Sequence, residues 1–180
     1  STSGTILLSA LLSKAGIYGF LRIGGELFSS QLRQYSKPLI AFAIVGVFYG
    51  ALAAWRQTDI KRVIAYSSLS HVNFILVGVF AIPTISHTGA ILQSFNHGIT
   101  IAALFLVVGF LEQRLGGTCM REISGLAKYV PKLCWLTLFF VLSSVALPGL
   151  NNFIGELLIF FGLFVTSPYS AAILGITVIV

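Results

Sequence analysis

The sequence predicts an all-α fold, a polytopic transmembrane helical bundle of about six helices, and three observations point to it. Hydrophobic residues make up 57% of the 180-residue chain and charged residues only 9%, whereas soluble domains carry roughly a quarter charged residues. The apolar residues come in runs about 20 long, the length of a helix that crosses a bilayer, and not in the short alternating segments of a β-barrel. Most Lys and Arg residues fall in the polar stretches between those runs. The net charge of +6 therefore reads as topology and lipid headgroups, with no nucleic-acid partner expected.

The elements follow in order. The first helix spans about 4–23 and holds Lys14 near its middle. A polar, weakly amphipathic connection covers 24–37. Pro38 suits a first helical turn and opens the second helix, 38–55. Its Gly46 and Gly50 have the small-residue spacing that lets helices approach closely. Thr58 or Asp59 is the expected N-cap of the third helix, 61–82, which Pro83 ends. The fourth helix, 86–113, carries Gln93, Asn96 and His97 in its first half. After the polar stretch 114–132, a long apolar run over 132–166 makes the fifth helix. Pro148 lacks an N–H and clashes with the carbonyl four residues back, so this helix breaks there. Gly149 loosens the backbone, and Asn151 and Asn152 offer amides to the carbonyls left unpaired. Ser167-Pro168 turns the chain into a sixth, partial helix at 169–180, about 18 Å long. Residues 1–180 thus read as one membrane domain.

The bases orient the bundle. With alternating crossings, Arg56, Lys61, Arg62, Arg114, Arg121, Lys128 and Lys132 share one side, against Arg22, Arg33 and Lys37 on the other. The excess puts the 56–62 connection on the cytoplasmic or matrix side.

Lys14, His71, His97 and Glu156 are ionisable and fall inside expected spans. Glu156 is the only charged residue after Lys132, and a charge at bilayer depth costs about 2.5–3.5 kcal/mol on insertion scales. Each alone has a structural reading: a satisfied histidine for His71 or His97, an assembly ion pair for Glu156. Lys14 lies about 15 Å from either helix end, too far to snorkel with ease. Together they sit near mid-span in four helices, with Ser67, Asn73, Gln93, Asn96 and Asn152 as polar neighbours. A broken helix carrying a carboxylate just past the break, and groups that gain and lose protons on its neighbours, are the parts of a proton path. No phosphate loop, metal-ligand cluster or Ser-His-Asp arrangement is visible. Cys119 and Cys134 read as ordinary thiols, so neither a metal nor a cofactor site is expected.

Five stretches occur in order: Ser13-Lys14-Ala15-Gly16, Gln57-Thr58-Asp59 through Ser67-Ser68, Leu69-Ser70-His71-Val72-Asn73-Phe74, Ser94-Phe95-Asn96-His97-Gly98, and Leu147-Pro148-Gly149 through Gly155-Glu156. They resemble the antiporter-like membrane subunits of proton-pumping NADH:ubiquinone oxidoreductase (respiratory complex I), related to Mrp cation/proton antiporters. The chain 4 group is the best match, because the sister chains 2 and 5 carry lysine where this sequence has Glu156. The resemblance implies a central lysine at Lys14, linking histidines at His71 and His97, and a terminal group at Glu156 facing the exit. It implies a chain that binds neither NADH nor quinone, inside a complex that uses FMN, iron–sulfur clusters and ubiquinone. Its expected partners are the other membrane subunits, chains 2 and 5 above all, and membrane lipids. The His71-Val72-Asn73-Phe74 stretch looks more mitochondrial than chloroplast, which implies the mitochondrial inner membrane, with the bacterial plasma membrane as alternative. The matched part is the last helix of one repeat and most of the second, inverted repeat. The expectation is therefore either a split subunit, the favoured reading, with a second polypeptide supplying the earlier helices, or a C-terminal portion of a longer chain. An Mrp-type sodium/proton antiporter subunit and a non-pumping structural module are the rival readings.

Overall fold

A computed structural model describes residues 2–121, 123 and 125–179. Helix α1, Gly4–Leu27, is not uniform. Wide π turns at Leu7–Leu12 and Phe20–Gly24 flank the regular segment Ser13–Gly19. The helix continues past the expected end near residue 23, because Gly24 and Gly25 keep helical dihedrals and only Phe28, at φ −121°, leaves them. The connection that follows contains a short helix, α2 (Ser29–Gln34). Helix α3 (Ser36–Trp55) starts two residues before Pro38, which sits in its first turn, where a missing N–H is harmless.

Helix α4 (Ile60–Phe80) is capped by Asp59, whose carboxylate accepts from the amides of Lys61 at 2.9 Å and Arg62 at 3.2 Å. Helix α5 (Thr84–Leu115) has 32 residues, about 48 Å, well beyond the ~30 Å hydrocarbon core. Gly116, at φ 74°, closes it by donating its N–H to the Glu112 carbonyl. Then come α6 (Leu126–Tyr129), α7 (Pro131–Ser144), α8 (Asn151–Thr166) and α9 (Pro168–Ile179). By length and hydropathy α1, α3, α4 and α5 can each cross a membrane. The shorter α7 and α8 are the two halves of the broken helix.

Helix α5 is the axis on which the others lean. Phe105 and His97 of α5, Ile75 of α4, and Ile159 and Leu163 of α8 are all fully buried. Helices α3 and α4 touch backbone to backbone: a Cβ on Gly50 would lie 2.7 Å from the Ser70 nitrogen, and one on Gly46 would run into the Asn73 amide. Ser70 seals the contact by donating to the Val47 carbonyl at 2.9 Å.

The connections expected to share a side do meet. Ile60 N–H donates to the Thr118 carbonyl and Met120 N–H to the Thr58 carbonyl, each at 3.0 Å. The Thr118 hydroxyl donates to Asp59 Oδ2, and Lys61 pairs with Glu112.

The break between α7 and α8 is wider than a single proline. Ala146 takes φ 54° and Gly149 φ 97°, so one non-glycine residue is held left-handed, at a cost on the order of 1–3 kcal/mol. The surrounding hydrogen bonds are what hold it.

Candidate functional site: a buried chain of titratable side chains beside the helix break

Lys14 Nζ donates to the Ser9 carbonyl at 2.6 Å, and the Ser13 hydroxyl donates to the same oxygen at 2.7 Å. Ser9 lies in the first π turn, a distortion frequent at functional sites. The amine therefore has a partner at membrane depth without reaching water. Opposite stands Gly98 of α5. A Cβ there would come 3.3 Å from the Ala10 carbonyl oxygen and 3.9 Å from Lys14 Cε. The bare glycine lets α1 lie close, so the lysine stem meets α5 at the residue that follows His97.

His97 is 0% exposed. Its Nε2 meets the Ser68 hydroxyl at 3.2 Å, while its Nδ1 has no hydrogen-bond partner among the described residues. The His71 ring lies with its centroid 5.0 Å from that of His97, tilted by 39°. On its other side His71 Nδ1 reaches Glu156 Oε1 at 3.3 Å. The same oxygen accepts from Gln93 Nε2 at 3.0 Å. The Glu156 side chain is only 12% exposed and that of His71 23%. The order in space is thus Lys14, His97, His71, Glu156, drawn from α1, α5, α4 and α8.

Two cavities flank the carboxylate. One, of about 440 Å³, has Ser67, Ser70, His71 and Glu156 among its walls. At ~30 Å³ per water it has room for on the order of ten. The other, of about 290 Å³, lies at the break against Ala146, Phe153 and Glu156. The carboxylate thus has His71 Nδ1 on one face and open space on another. That combination of imidazoles, a carboxylate and a wettable void is what proton transfer through hydrocarbon needs.

The expected polar neighbours divide into two groups. Ser67 and Gln93 stand at the titratable chain. Asn96 and Asn152 do not join it; they clamp the helix break. Asn96 Nδ2 donates to the Asn151 carbonyl at 2.6 Å, and Asn152 Nδ2 donates to the Ser143 carbonyl at 2.8 Å and the Thr100 hydroxyl at 3.3 Å. The Ser143 hydroxyl donates to Asn151 Oδ1, and Thr100 donates to the Asn96 carbonyl at 3.0 Å. The reason is rotational: Gln93 and His97 lie one turn apart on one stripe of α5, Asn96 and Thr100 on the adjacent stripe. Asn73 also stays out of the chain, donating to the Leu69 carbonyl of its own helix at 2.9 Å beside Gly46. Pro148 and Gly149 lie in the gap itself. Sequence reasoning missed Ser68, Gly98, Thr100 and Ser143. The i, i+4 spacing of Asn96 and Thr100 was the available signal for one of them.

Outside the spans, Asp59 is the group whose titration the fold alters. The Thr118 hydroxyl first, then the Arg62 and Lys61 amides and the Arg62 charge, outweigh desolvation and hold its carboxyl below the ordinary 3.8. Among the described residues no three His, Cys, Asp or Glu side chains come together to hold a metal ion.

Residues 1–180 match the family described as NADH:quinone oxidoreductase/Mrp antiporter, TM. NADH-quinone oxidoreductase subunit M of Pseudomonas aeruginosa is 39% identical over 167 residues, covering 93% of this chain and 33% of that protein. The Mycobacterium tuberculosis subunit M is 38% identical over 181 residues, covering 100% of this chain and 32% of that protein. The chain thus spans about a third of the length of the curated relatives it matches. Among solved structures, respiratory complex I from Thermus thermophilus with bound NADH matches at TM-score 0.88 and 33% identity, over 92% of this chain and 36% of that one. The Mrp complex from a Dietzia species matches at TM-score 0.93 and 26% identity, over 99% and 34%. A helical membrane bundle matched over its whole length, with relatives this similar along nearly all of it, belongs to the NADH:quinone oxidoreductase/Mrp antiporter transmembrane family.

Proposed function

We propose that this chain forms the central and exit part of one antiporter-like proton channel in the membrane arm of an NADH:quinone oxidoreductase, where quinone reduction drives proton translocation. One observation carries the reading: His71 bridges the buried His97 ring, 5.0 Å away, and the Glu156 carboxylate, 3.3 Å away. A proton on Lys14 passes to His97, then His71, then Glu156, and leaves into the water beside the break. Gln93 and Ser67 support that line, and Asn96, Asn152 and their hydroxyl partners hold the break open for it. Flavin, iron–sulfur and quinone chemistry belongs to other subunits of such a complex, and none of it to this chain.

Its neighbours in the arm are the antiporter-like chains 2 and 5, with a second polypeptide supplying the helices of a first repeat. The 56–62 connection faces the cytoplasm or matrix, as the basic residues suggest. The His71-Val72-Asn73-Phe74 stretch favours the mitochondrial inner membrane, and the bacterial relatives favour the plasma membrane.

The test is Lys14→Ala and Glu156→Ala in the assembled complex, with proton pumping measured against quinone reduction in sealed vesicles. Loss of pumping in both supports the channel. Normal pumping in both leaves a structural module. A second reading, an Mrp-type sodium/proton antiporter subunit, is favoured by the TM-score of 0.93 to the Dietzia complex. Sodium-dependent exchange without co-purifying flavin and iron–sulfur subunits selects it.

A further inference from the structure

Gln93 of α5 is fully buried, and its side chain ends on the carboxylate that closes the titratable chain. Nε2 donates to Glu156 Oε1 at 3.0 Å, the same oxygen that stands 3.3 Å from His71 Nδ1. An ionised carboxylate only accepts, so the amide meets it through an N–H. Among the described residues no other side chain reaches this carboxylate. Ser70 donates to the Val47 carbonyl instead, and Ser67 lines the larger cavity.

The amide is itself fixed by packing. Gly155, the residue before Glu156, carries no side chain. A Cβ there would lie 2.5 Å from Gln93 Oε1 and 3.0 Å from Gln93 Cα. The Gln93 side chain fills that notch between α8 and α5, so its rotamer is settled by close contact. Glu156 has no such seat. It borders cavities of about 440 and 290 Å³, and a glutamate chain beside open space keeps rotamers to choose from.

We infer that Gln93, seated against Gly155, is a positioning residue that holds Glu156 Oε1 on His71 and leaves Oε2 to the cavities. The inference rests on the proton-channel reading for its consequence, though not for its geometry. In the step it serves, the N–H bond at His71 Nδ1 breaks and an O–H bond forms at Oε1. Gln93 gives and takes no proton. Without its amide the carboxylate swings into the open space beside it, and the gap to Nδ1 widens. Apart from Glu156 itself, His71 of α4 is the one titratable side chain lining the two cavities among the described residues. His97 of α5 stands behind His71, and Lys14 of α1 lies farther along the chain.

The experiment compares Gln93→Met, Gln93→Ala and Glu156→Ala in the assembled complex, reading proton pumping per quinone reduced across pH. Methionine is unbranched and of similar length, so it fills the notch, but it donates nothing. Alanine gives up both the filling and the bond. Expected in Gln93→Met are a pumping step slower by about five- to tenfold and a displaced pH profile, the effect of losing about one hydrogen bond. Gln93→Ala does the same or worse. A wild-type rate and profile in Gln93→Met, with or without a loss in Gln93→Ala, means that Gln93 only fills space. That overturns the inference and leaves the channel standing. Normal pumping in Glu156→Ala overturns both. If neither Gln93 variant assembles, a cryo-electron-microscopy map of the wild-type complex decides. A carboxylate within hydrogen-bond reach of both Gln93 and His71 supports the inference, and one turned away from Gln93 overturns it.

Discussion

Asn152, on the first turn of α8, donates its side-chain amide to the carbonyl of Ser143 on the last turn of α7, 2.8 Å across the gap in the broken helix. The bond joins two half-helices whose own backbone ladder stops, and Thr100 of α5 meets the same amide at 3.3 Å. Asn152 and Ser143 are both buried, so bulk water does not replace a lost partner at this bond.

Asn152→Ala therefore strands the Ser143 carbonyl and loosens the α7–α8 junction. The expected cost is about 1–3 kcal/mol, the penalty of one buried polar group left unmatched. Thermal denaturation in lipid nanodiscs checks it. Asn152→Asp, equal in size but without the amide donors, is expected to be no better. A variant as stable as wild type would mean the junction is held elsewhere.

On the basic side of the bundle, Thr118 and Asp59 tie the 114–121 segment to the start of α4. Because Asp59 has its carboxyl held below the ordinary 3.8, its contribution is fully present above that pH. It fades as pH falls through the lowered folded value. Between pH 5 and 8 the protection of the Lys61 and Arg62 amides, taken relative to the intrinsic exchange rate at each pH, should stay constant, and it should fall only in strong acid. Thr118→Val removes the strongest of the bonds to the carboxylate and should bring the loss to a higher pH. Asp59→Ala removes the cap altogether, at about 1 kcal/mol.

Much of this was legible in the sequence for a simple reason: hydropathy and proline act locally. Charge scarcity gave the membrane class, Pro148 the break, and four ionisable residues among apolar ones a short list of site residues. What a sequence does not display is helix rotation. Ser67 and Ser68 are equally plausible partners on paper, and only the packing of α4 on α5 turns Ser68 to His97 and Ser67 to the cavity. The same holds for Asn96 and Asn152, expected beside the titratable groups and found clamping the break. The left-handed Ala146 and the π turns of α1 leave no local sequence mark, since tertiary contacts impose them.

Close approach of α3 and α4 has its own consequence. A methyl on Gly50 would sit 2.7 Å from the Ser70 nitrogen, and backbone cannot yield as a side chain does. Gly50→Ala is expected to push the helices apart, break the Ser70–Val47 bond and cost about 1–3 kcal/mol. Cross-linking yield between cysteines placed along α3 and α4, together with thermal stability, reads the separation.

Gly98 sets the distance between α1 and α5, and with it the first step of the proposed path. The space opposite is already narrow, 3.3 Å to the Ala10 carbonyl and 3.9 Å to Lys14 Cε for a single added carbon. Alanine fits with a shift of a few tenths of an ångström, so Gly98→Ala should pump at a rate within a few-fold of wild type. Valine adds two further methyls against the lysine stem and drives the amine away from His97. A displacement of about 1 Å at a reacting group costs about a hundredfold in well-aligned steps, so pumping should fall by at least about tenfold. The α1–α5 contact is a small part of the buried interior, and assembly should survive. Quinone reduction with collapsed pumping in Gly98→Val, and near-normal pumping in Gly98→Ala, would tie transfer to the Lys14–His97 separation. Full pumping in Gly98→Val would mean that protons reach His97 without Lys14.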